Sequence, residues 1–143
     1  MPRRRKKKIV RVVYPSAEPL PLRLAPLYAG HLQVFSDASQ KRHGGLAAVL
    51  FATPGSEAVV KSRTVPIVGS NELELQAALF ALEQARLLFP ELPLALFSDN
   101  QDAVIRLNRG KTEGLAQDPE LQEMLRQMKV GDALVNASIC WIK

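Results

Sequence analysis

The sequence predicts an α/β domain built on one mixed, five-stranded sheet that is flanked by helices. Three extended, apolar runs with short connections come first, between residues 32 and 67, and this order is typical of an antiparallel meander. A long segment with helical apolar spacing follows. Two further extended runs then alternate with helical segments, which is typical of parallel strands added to the same sheet.

The first three strands are predicted from apolar runs that end at turn residues. They are LQVFSDAS at residues 32–39, GGLAAVLFAT at 44–53 and VVKSRTVPI at 59–67. Pro66 lies near the end of the third run, where a strand tolerates a missing N–H. These runs form the antiparallel part of the predicted sheet.

A long helix is predicted after this meander. Ser70 and Asn71 offer a helix cap, and Pro90 ends the pattern. The next run, PLALFSD at residues 93–99, is apolar until its end, so we expect a strand in the centre of the sheet. The apolar positions of the helix recur at helical spacing and are Leu73, Ala77, Leu79, Phe80, Ala81, Leu82, Ala85 and Leu88.

The last third of the chain predicts two helices and a strand. NQDAVIRLN predicts a short helix that is broken at Gly110, and the pair Asp118–Pro119 predicts the start of a second helix, PELQEMLRQMKV. The run ALVNASICWIK at residues 133–143 predicts the last strand. We expect Cys140 and Trp141, which lie in this run, to be packed in the core.

Residues 1–30 are predicted to be a basic, proline-rich appendage to a domain that spans residues 31–143. Residues 1–11 carry seven positive charges and no acid, whereas the rest of the chain carries 12 basic and 14 acidic side chains. The positive charge therefore belongs to a tail. This tail could bind a polyanion through counterion release, act as a nuclear address or remain a solvated arm.

The apolar runs and the cysteine content indicate where in the cell the protein is found. The sequence contains no stretch of about 20 apolar residues, so we expect no contact with the membrane interior. A single cysteine excludes an internal disulfide framework and suits a reducing compartment. We expect a cytoplasmic protein, with the nucleus left open by the PRRRKKK segment at residues 2–8.

Three carboxylates stand where the predicted strands and helix would bring them together. Asp37 and Asp99 each follow an extended apolar run, and Glu74 lies near the start of the long helix. Functional groups of α/β sheets gather at the carboxyl ends of strands. A simpler interpretation stays open, in which Asn71 and Glu74 form a capping box and the two aspartates only form turns.

The segments that carry these acids, taken together, resemble a type 1 ribonuclease H. The resemblance covers about residues 32–143 and rests on FSDAS, GGLAAVLF, SNELELQAALFALEQA, LFSDNQDAV and ICWIK in the family's order. It implies the mixed five-stranded sheet, a partner that is an RNA–DNA hybrid, and hydrolysis of the RNA strand. It also implies two Mg²⁺ or Mn²⁺ ions as cofactors, since hard cations prefer carboxylate ligands.

The resemblance assigns roles residue by residue. Asp37, Glu74 and Asp99 match the metal-binding and catalytic acids of the family. The residues that match or adjoin its substrate contacts are Ser39, Asn71, Asn100 and Gln101.

The sequence departs from the family pattern at two places. Ala38 stands where glycine usually follows the first acid, and the WIK segment at residues 141–143 is not followed by the family's glycine–histidine loop and last helix with its fourth acid. Without the fourth acid, we expect the second ion to bind weakly and the activity of this form to be weak. We expect either a piece of a longer enzyme, a variant completed by a partner or a second copy, or an inactive binding relic. The chain would then be a monomer or a dimer that completes this face.

Other functions stay open at this stage. A hybrid-binding or nucleic-acid-binding module of the same fold would bind without turnover. A junction resolvase, an integrase-like enzyme or an interaction scaffold could also use this fold.

Overall fold

A computed structural model describes residues 25–53 and 56–142 of the chain. The basic run at residues 2–8 and the rest of residues 1–24 lie outside the described residues, so the division of the chain near residue 30 stays a prediction. Within the part of the chain that is described, no helix is long and apolar enough to cross a membrane.

The described residues form five strands, four α-helices and one short 3₁₀ helix. The strands are β1 (Leu32–Gln40), β2 (Gly44–Phe51), β3 (Val59–Val65), β4 (Leu94–Ser98) and β5 (Ala137–Trp141). The helices are α1 (Ser70–Leu88), α2 (Gln101–Glu113), α3 (Pro119–Met128) and α4 (Gly131–Asn136), and the 3₁₀ helix spans Ala25–Tyr28.

The five strands form one mixed sheet in the order β3-β2-β1-β4-β5. β1 pairs antiparallel with β2, which pairs antiparallel with β3. β4 pairs parallel with β1, and β5 pairs parallel with β4. This topology confirms the predicted fold class, with three antiparallel strands followed by two parallel additions.

The two faces of the sheet bury two separate apolar clusters. The first cluster joins alternate strand residues such as Val34 and Leu96 to buried residues of all four helices. The second cluster consists of Phe35, Val49, Phe51, Ala95 and Phe97 and contains no helix residue. The sheet is therefore covered by the helices on one side and carries an aromatic layer on the other.

Two predicted elements differ from the structure. Gly110 does not break a helix but lies inside α2, where an added Cβ would meet the Leu115 side chain at 2.9 Å. The segment 133–136 is the last four residues of the six-residue helix α4 rather than the start of the last strand. In a run of four residues such as ALVN, apolar periodicity cannot separate helix from strand.

The core prediction for the last strand is half right. Cys140 is partly buried and packs against the second cluster, where its thiol shares a hydrogen bond of 3.0 Å with the Tyr28 hydroxyl. This hydrogen bond, together with burial, raises the pKa of Tyr28 to about 12. Trp141, by contrast, is 43% exposed, because it lies at the end of the strand.

Asp118 caps helix α3, as predicted. Its carboxylate accepts a hydrogen bond from the Leu121 N–H at 3.2 Å and pairs with Arg106 through two hydrogen bonds of 2.7 Å. Arg106 also pairs with Glu120, and the Lys111 amine donates a hydrogen bond to the Ala137 carbonyl. Arg106 and Lys111, which both lie in helix α2, therefore hold elements of the fold together.

Replacing Asp118 should destabilise the protein in a pH-dependent way. The Arg106 guanidinium lowers the pKa of the Asp118 carboxyl, so the stabilisation is present above the ordinary carboxyl pKa near 4 and is lost as pH falls below it. We expect Asp118→Ala to lower the free energy of unfolding by about 2 kcal/mol at pH 7. Asp118→Asn, which keeps a cap acceptor, should lose less. Urea titrations that show the same loss at pH 7 and pH 3 would contradict this account.

Gly44 allows helix α1 to approach the sheet closely. A Cβ built at Gly44 would lie 2.6 Å from a methyl carbon of Leu73 and 3.2 Å from the Pro66 carbonyl oxygen. Leu73 immediately precedes Glu74 in the chain. The missing side chain at position 44 therefore helps set where the start of α1 lies.

The substitution Gly44→Ala should destabilise the protein by about 1–3 kcal/mol, because the new methyl group overpacks a closed contact. Gly30→Ala is the matched control, since no atom lies within 4 Å of its Cβ position and the residue is exposed, and it should change stability by less than about 0.5 kcal/mol. Thermal unfolding of both variants measures the difference. Equal effects would show that the close contact does not position the helix.

Candidate active site

Asp37 and Asp99 are placed side by side by the parallel pairing of β1 with β4. Phe35 is the register partner of Phe97, and each aspartate follows its phenylalanine by two residues. Because side chains alternate along a strand, residues two apart point to the same face. The two aspartates therefore continue the two phenylalanine positions at the carboxyl edge of the sheet.

Glu74 reaches this edge from helix α1. The helix begins at Ser70 after Gly69, and no side chain forms a cap hydrogen bond at its start. The interpretation of Asn71 and Glu74 as a capping box is therefore wrong, as is the prediction that Ser70 and Asn71 cap the helix. The half-buried Glu74 lies between Leu73 and Leu75, which are both buried in the first cluster.

The three acids form one cluster. Asp37, Glu74 and Asp99 each offer a carboxylate oxygen, and these three oxygens lie within 4.8 Å of one another. Two unit charges at that separation repel by about 1 kcal/mol in water and by about 3–4 kcal/mol at an effective dielectric constant of 20. A divalent cation among them would turn this repulsion into attraction, and three hard oxygen donors are the ligand type that such cations prefer.

The backbone around Asp99 is fixed by hydrogen bonds from both sides. The Asn100 N–H donates to the Ser98 hydroxyl at 3.1 Å, and the Ile142 N–H donates to the Ser98 carbonyl at 3.0 Å. The Trp141 indole N–H donates to the Asp99 carbonyl at 3.2 Å. This contribution of Trp141 was not predicted, and its one signal in the sequence is the position of the tryptophan near the end of the last strand.

Aromatic packing supports the aspartate pair from within the sheet. The Phe35 and Phe97 rings are stacked, with centroids 5.2 Å apart and planes inclined by 24°. Phe51 meets Phe35 edge to face at 5.9 Å. Both stacked rings are at most 2% exposed, so the two strands are held together immediately before the residues that carry the acids.

The structure places the predicted substrate-binding residues around this cluster. Ser39 lies two residues after Asp37 on the same face of β1, exposed Asn71 lies in the first turn of α1, and exposed Gln101 is the first residue of α2. Asn100 caps α2, with its side-chain oxygen accepting a hydrogen bond from the Ala103 N–H at 2.8 Å. A cap is thus the observed role of Asn100, and substrate contact by the four residues stays a prediction.

Comparison with solved structures identifies the fold. The chain is similar to RNase H1 from the halophilic archaeon Halobacterium salinarum, with a TM-score of 0.56 and 19% identity over 79% of this chain and 86% of that one. The fold is that of ribonuclease H. LC11-RNase H1, isolated from compost by a metagenomic approach and solved in complex with an RNA/DNA hybrid, gives a TM-score of 0.57 and 16% identity over 78% of this chain and 84% of that one.

The ribonuclease H fold recurs in a third match. The N-terminal RNase H domain of Rv2228c from Mycobacterium tuberculosis gives a TM-score of 0.56 and 16% identity over 78% of this chain and 82% of that one. No protein-family model and no curated protein matches the sequence. Structural likeness at these identities establishes the fold, and the chemistry of the site must be argued from its own residues.

Trp141 should report an ion bound at the acids. It is the one tryptophan of the chain and its indole contacts the Asp99 backbone, so a paramagnetic Mn²⁺ ion held by Asp99 should quench its fluorescence. We expect saturable quenching in a Mn²⁺ titration and at least a tenfold weaker midpoint in Asp37→Asn, which loses one ligand. Glu91→Gln, at an exposed acid outside the cluster, is the control. Quenching that is linear and identical in all three proteins would exclude an ion at this site.

Proposed function

We propose that this protein is a divalent-metal-dependent endoribonuclease of the ribonuclease H type, which hydrolyses the RNA strand of RNA–DNA hybrids. The observation that carries the proposal is the convergence of Asp37, Glu74 and Asp99 within 4.8 Å at the carboxyl edge of a ribonuclease H fold. The hybrid in the LC11 complex supports the choice of substrate class.

The residues present fit Mg²⁺ or Mn²⁺. All three donors are carboxylates, which are ligands for hard cations, and two strands and a helix fix their separation. The chemistry that ions held by these three acids would supply is activation of a water molecule and stabilisation of the leaving oxygen in an in-line displacement at phosphorus. The part of the chain in this reaction is to hold the ligands in position, and no nucleophilic side chain is required.

Selectivity for RNA would come from the residues that flank the acids. An RNA strand differs from DNA by its 2′-hydroxyl groups, which are displayed in a wide and shallow minor groove. Ser39, Asn71 and Gln101 have side chains that donate and accept hydrogen bonds and stand next to the acids in the chain or in the sheet. We assign them the contacts to the hybrid.

The sharpest test compares two glutamates of the same helix turn. Glu74→Gln removes a ligand, whereas Glu72→Gln changes an acid that is two residues away and therefore about 200° around the helix. With a labelled RNA–DNA hybrid and Mg²⁺ or Mn²⁺, we expect Glu74→Gln and Asp37→Asn to lower the cleavage rate at least 100-fold. Glu72→Gln should retain the wild-type rate within about threefold. Cleavage that is unchanged in Asp37→Asn would reject the assigned site.

The same assay separates the rival functions. A binding module of this fold would hold the hybrid without cleaving it, would keep its affinity in Asp99→Asn and would lose affinity steeply with salt. A resolvase or strand-transfer enzyme would prefer branched DNA to hybrid. Size-exclusion chromatography of the active protein measures its oligomeric state, which we predict to be a monomer or a dimer that completes the site.

A further inference from the structure

The second face of the sheet is buried, although the helices lie on the other side. Its five residues, Phe35, Val49, Phe51, Ala95 and Phe97, are between 0 and 3% exposed. All buried helix residues that pack on the sheet belong to the first cluster. The second cluster must therefore be covered by parts of the chain other than α1 to α4.

Few of the described side chains pack on the second face of the sheet. The apolar residues that pack against the second cluster are Tyr28, Ala58, Cys140 and Ile142, and each is only partly buried. A single phenylalanine ring can bury about 150–250 Å², and three such rings lie in this layer. Among the residues that the structure describes, these four side chains are too few to enclose it.

We propose that the segment of residues 9–24 covers this second face and is an integral part of the domain rather than an appendage. The chain that continues from this segment already lies there. The Tyr28 ring packs edge to face on Phe97 at 5.3 Å, and its hydroxyl meets the Cys140 thiol. The Gln33 side-chain amide donates to the Tyr28 carbonyl at 3.3 Å, which anchors the 3₁₀ helix to β1.

The composition of the segment suits an apolar layer. It contains eight large apolar side chains and only three charged ones, Arg11, Glu18 and Arg23. Three prolines oppose a regular helix and favour an extended path. Sixteen extended residues span about 50 Å, whereas five strands spaced by about 4.8 Å span about 20 Å. The eight apolar residues are Ile9, Val10, Val12, Val13, Tyr14, Leu20, Leu22 and Leu24.

The proposal divides the N-terminal region at residue 8. The preceding residues 3–8 are all basic and have no place in an apolar layer, so they extend from the cover into solvent. The domain boundary expected near residue 30 would then fall inside the domain, between the covering segment and the sheet that it covers. This inference is independent of the nuclease proposal, because it concerns packing on the face of the sheet.

Limited proteolysis of the unaltered full-length chain tests the cover first. Trypsin can cut after the arginines at positions 3, 4 and 5 and also after Arg11. Cleavage requires local unfolding where the chain is packed, so we expect the bond after Arg11 to be cut on the order of tenfold more slowly than the bonds in the basic run. Mass spectrometry of early time points measures both cleavage rates. Equal rates after Arg11 and in the basic run would overturn the proposal.

The chain's one cysteine gives a second measurement, because Cys140 packs against the second cluster. In full-length protein, the triple substitution Val10→Asn, Val12→Asn and Val13→Asn should raise the rate of Cys140 labelling by a thiol reagent on the order of tenfold. The matched control changes Arg4, Lys6 and Lys8 to Asn and should label at the wild-type rate.

Two results in this second experiment would overturn the proposal. One is the same labelling rate in both triple variants. The other is a wild-type rate that falls as the protein concentration rises, because a second copy of the chain would then provide the cover. Proteolysis of the unaltered chain keeps the proposal testable if the valine variant does not fold.

Discussion

The parallel register between β1 and β4 is the constraint on which the site depends. It places Phe35 opposite Phe97 and thereby places Asp37 beside Asp99, two residues further along each strand. A shift of either strand by one residue would turn the aspartate of that strand to the other face of the sheet. The stacked phenylalanine rings resist such a shift, because it would turn one of the two rings out of the buried aromatic cluster.

The acids oppose folding, and the surrounding structure compensates for them. Three ionised carboxylates that converge within 4.8 Å repel one another, and the surrounding packing helps to hold them at this distance. Here Gly44 lets α1 approach the sheet, and Trp141 holds the backbone carbonyl of Asp99. This is the arrangement expected where stability is given up for function, and a cation bound by the three acids would restore part of that stability.

The sequence predicted the strands, the long helix and the three acids because each depends on local signals. The apolar runs that end in Asp37 and Asp99 mark the place where the parallel pairing of β1 with β4 ends, although β1 itself continues to Gln40. Helical spacing after Gly69 marks α1. Other features depend on tertiary contacts. Gly110 was predicted to break a helix, yet it lies inside α2. The Leu115 side chain packs where a Cβ of residue 110 would lie. The exposed position of Trp141 follows from where β5 ends, and the cap at Asn100 competes with the role expected for it in substrate binding.

Crystals grown with Mn²⁺ would test the central claim most directly, because anomalous scattering locates the ion without any assumption about activity. The account predicts at least one anomalous peak bounded by Asp37, Glu74 and Asp99, with metal–oxygen distances of about 2.0–2.3 Å. It also predicts that the peak is lost in Glu74→Gln and kept in Glu72→Gln. An ordered site with no peak at saturating Mn²⁺, or with a peak that survives Glu74→Gln unchanged, would contradict it.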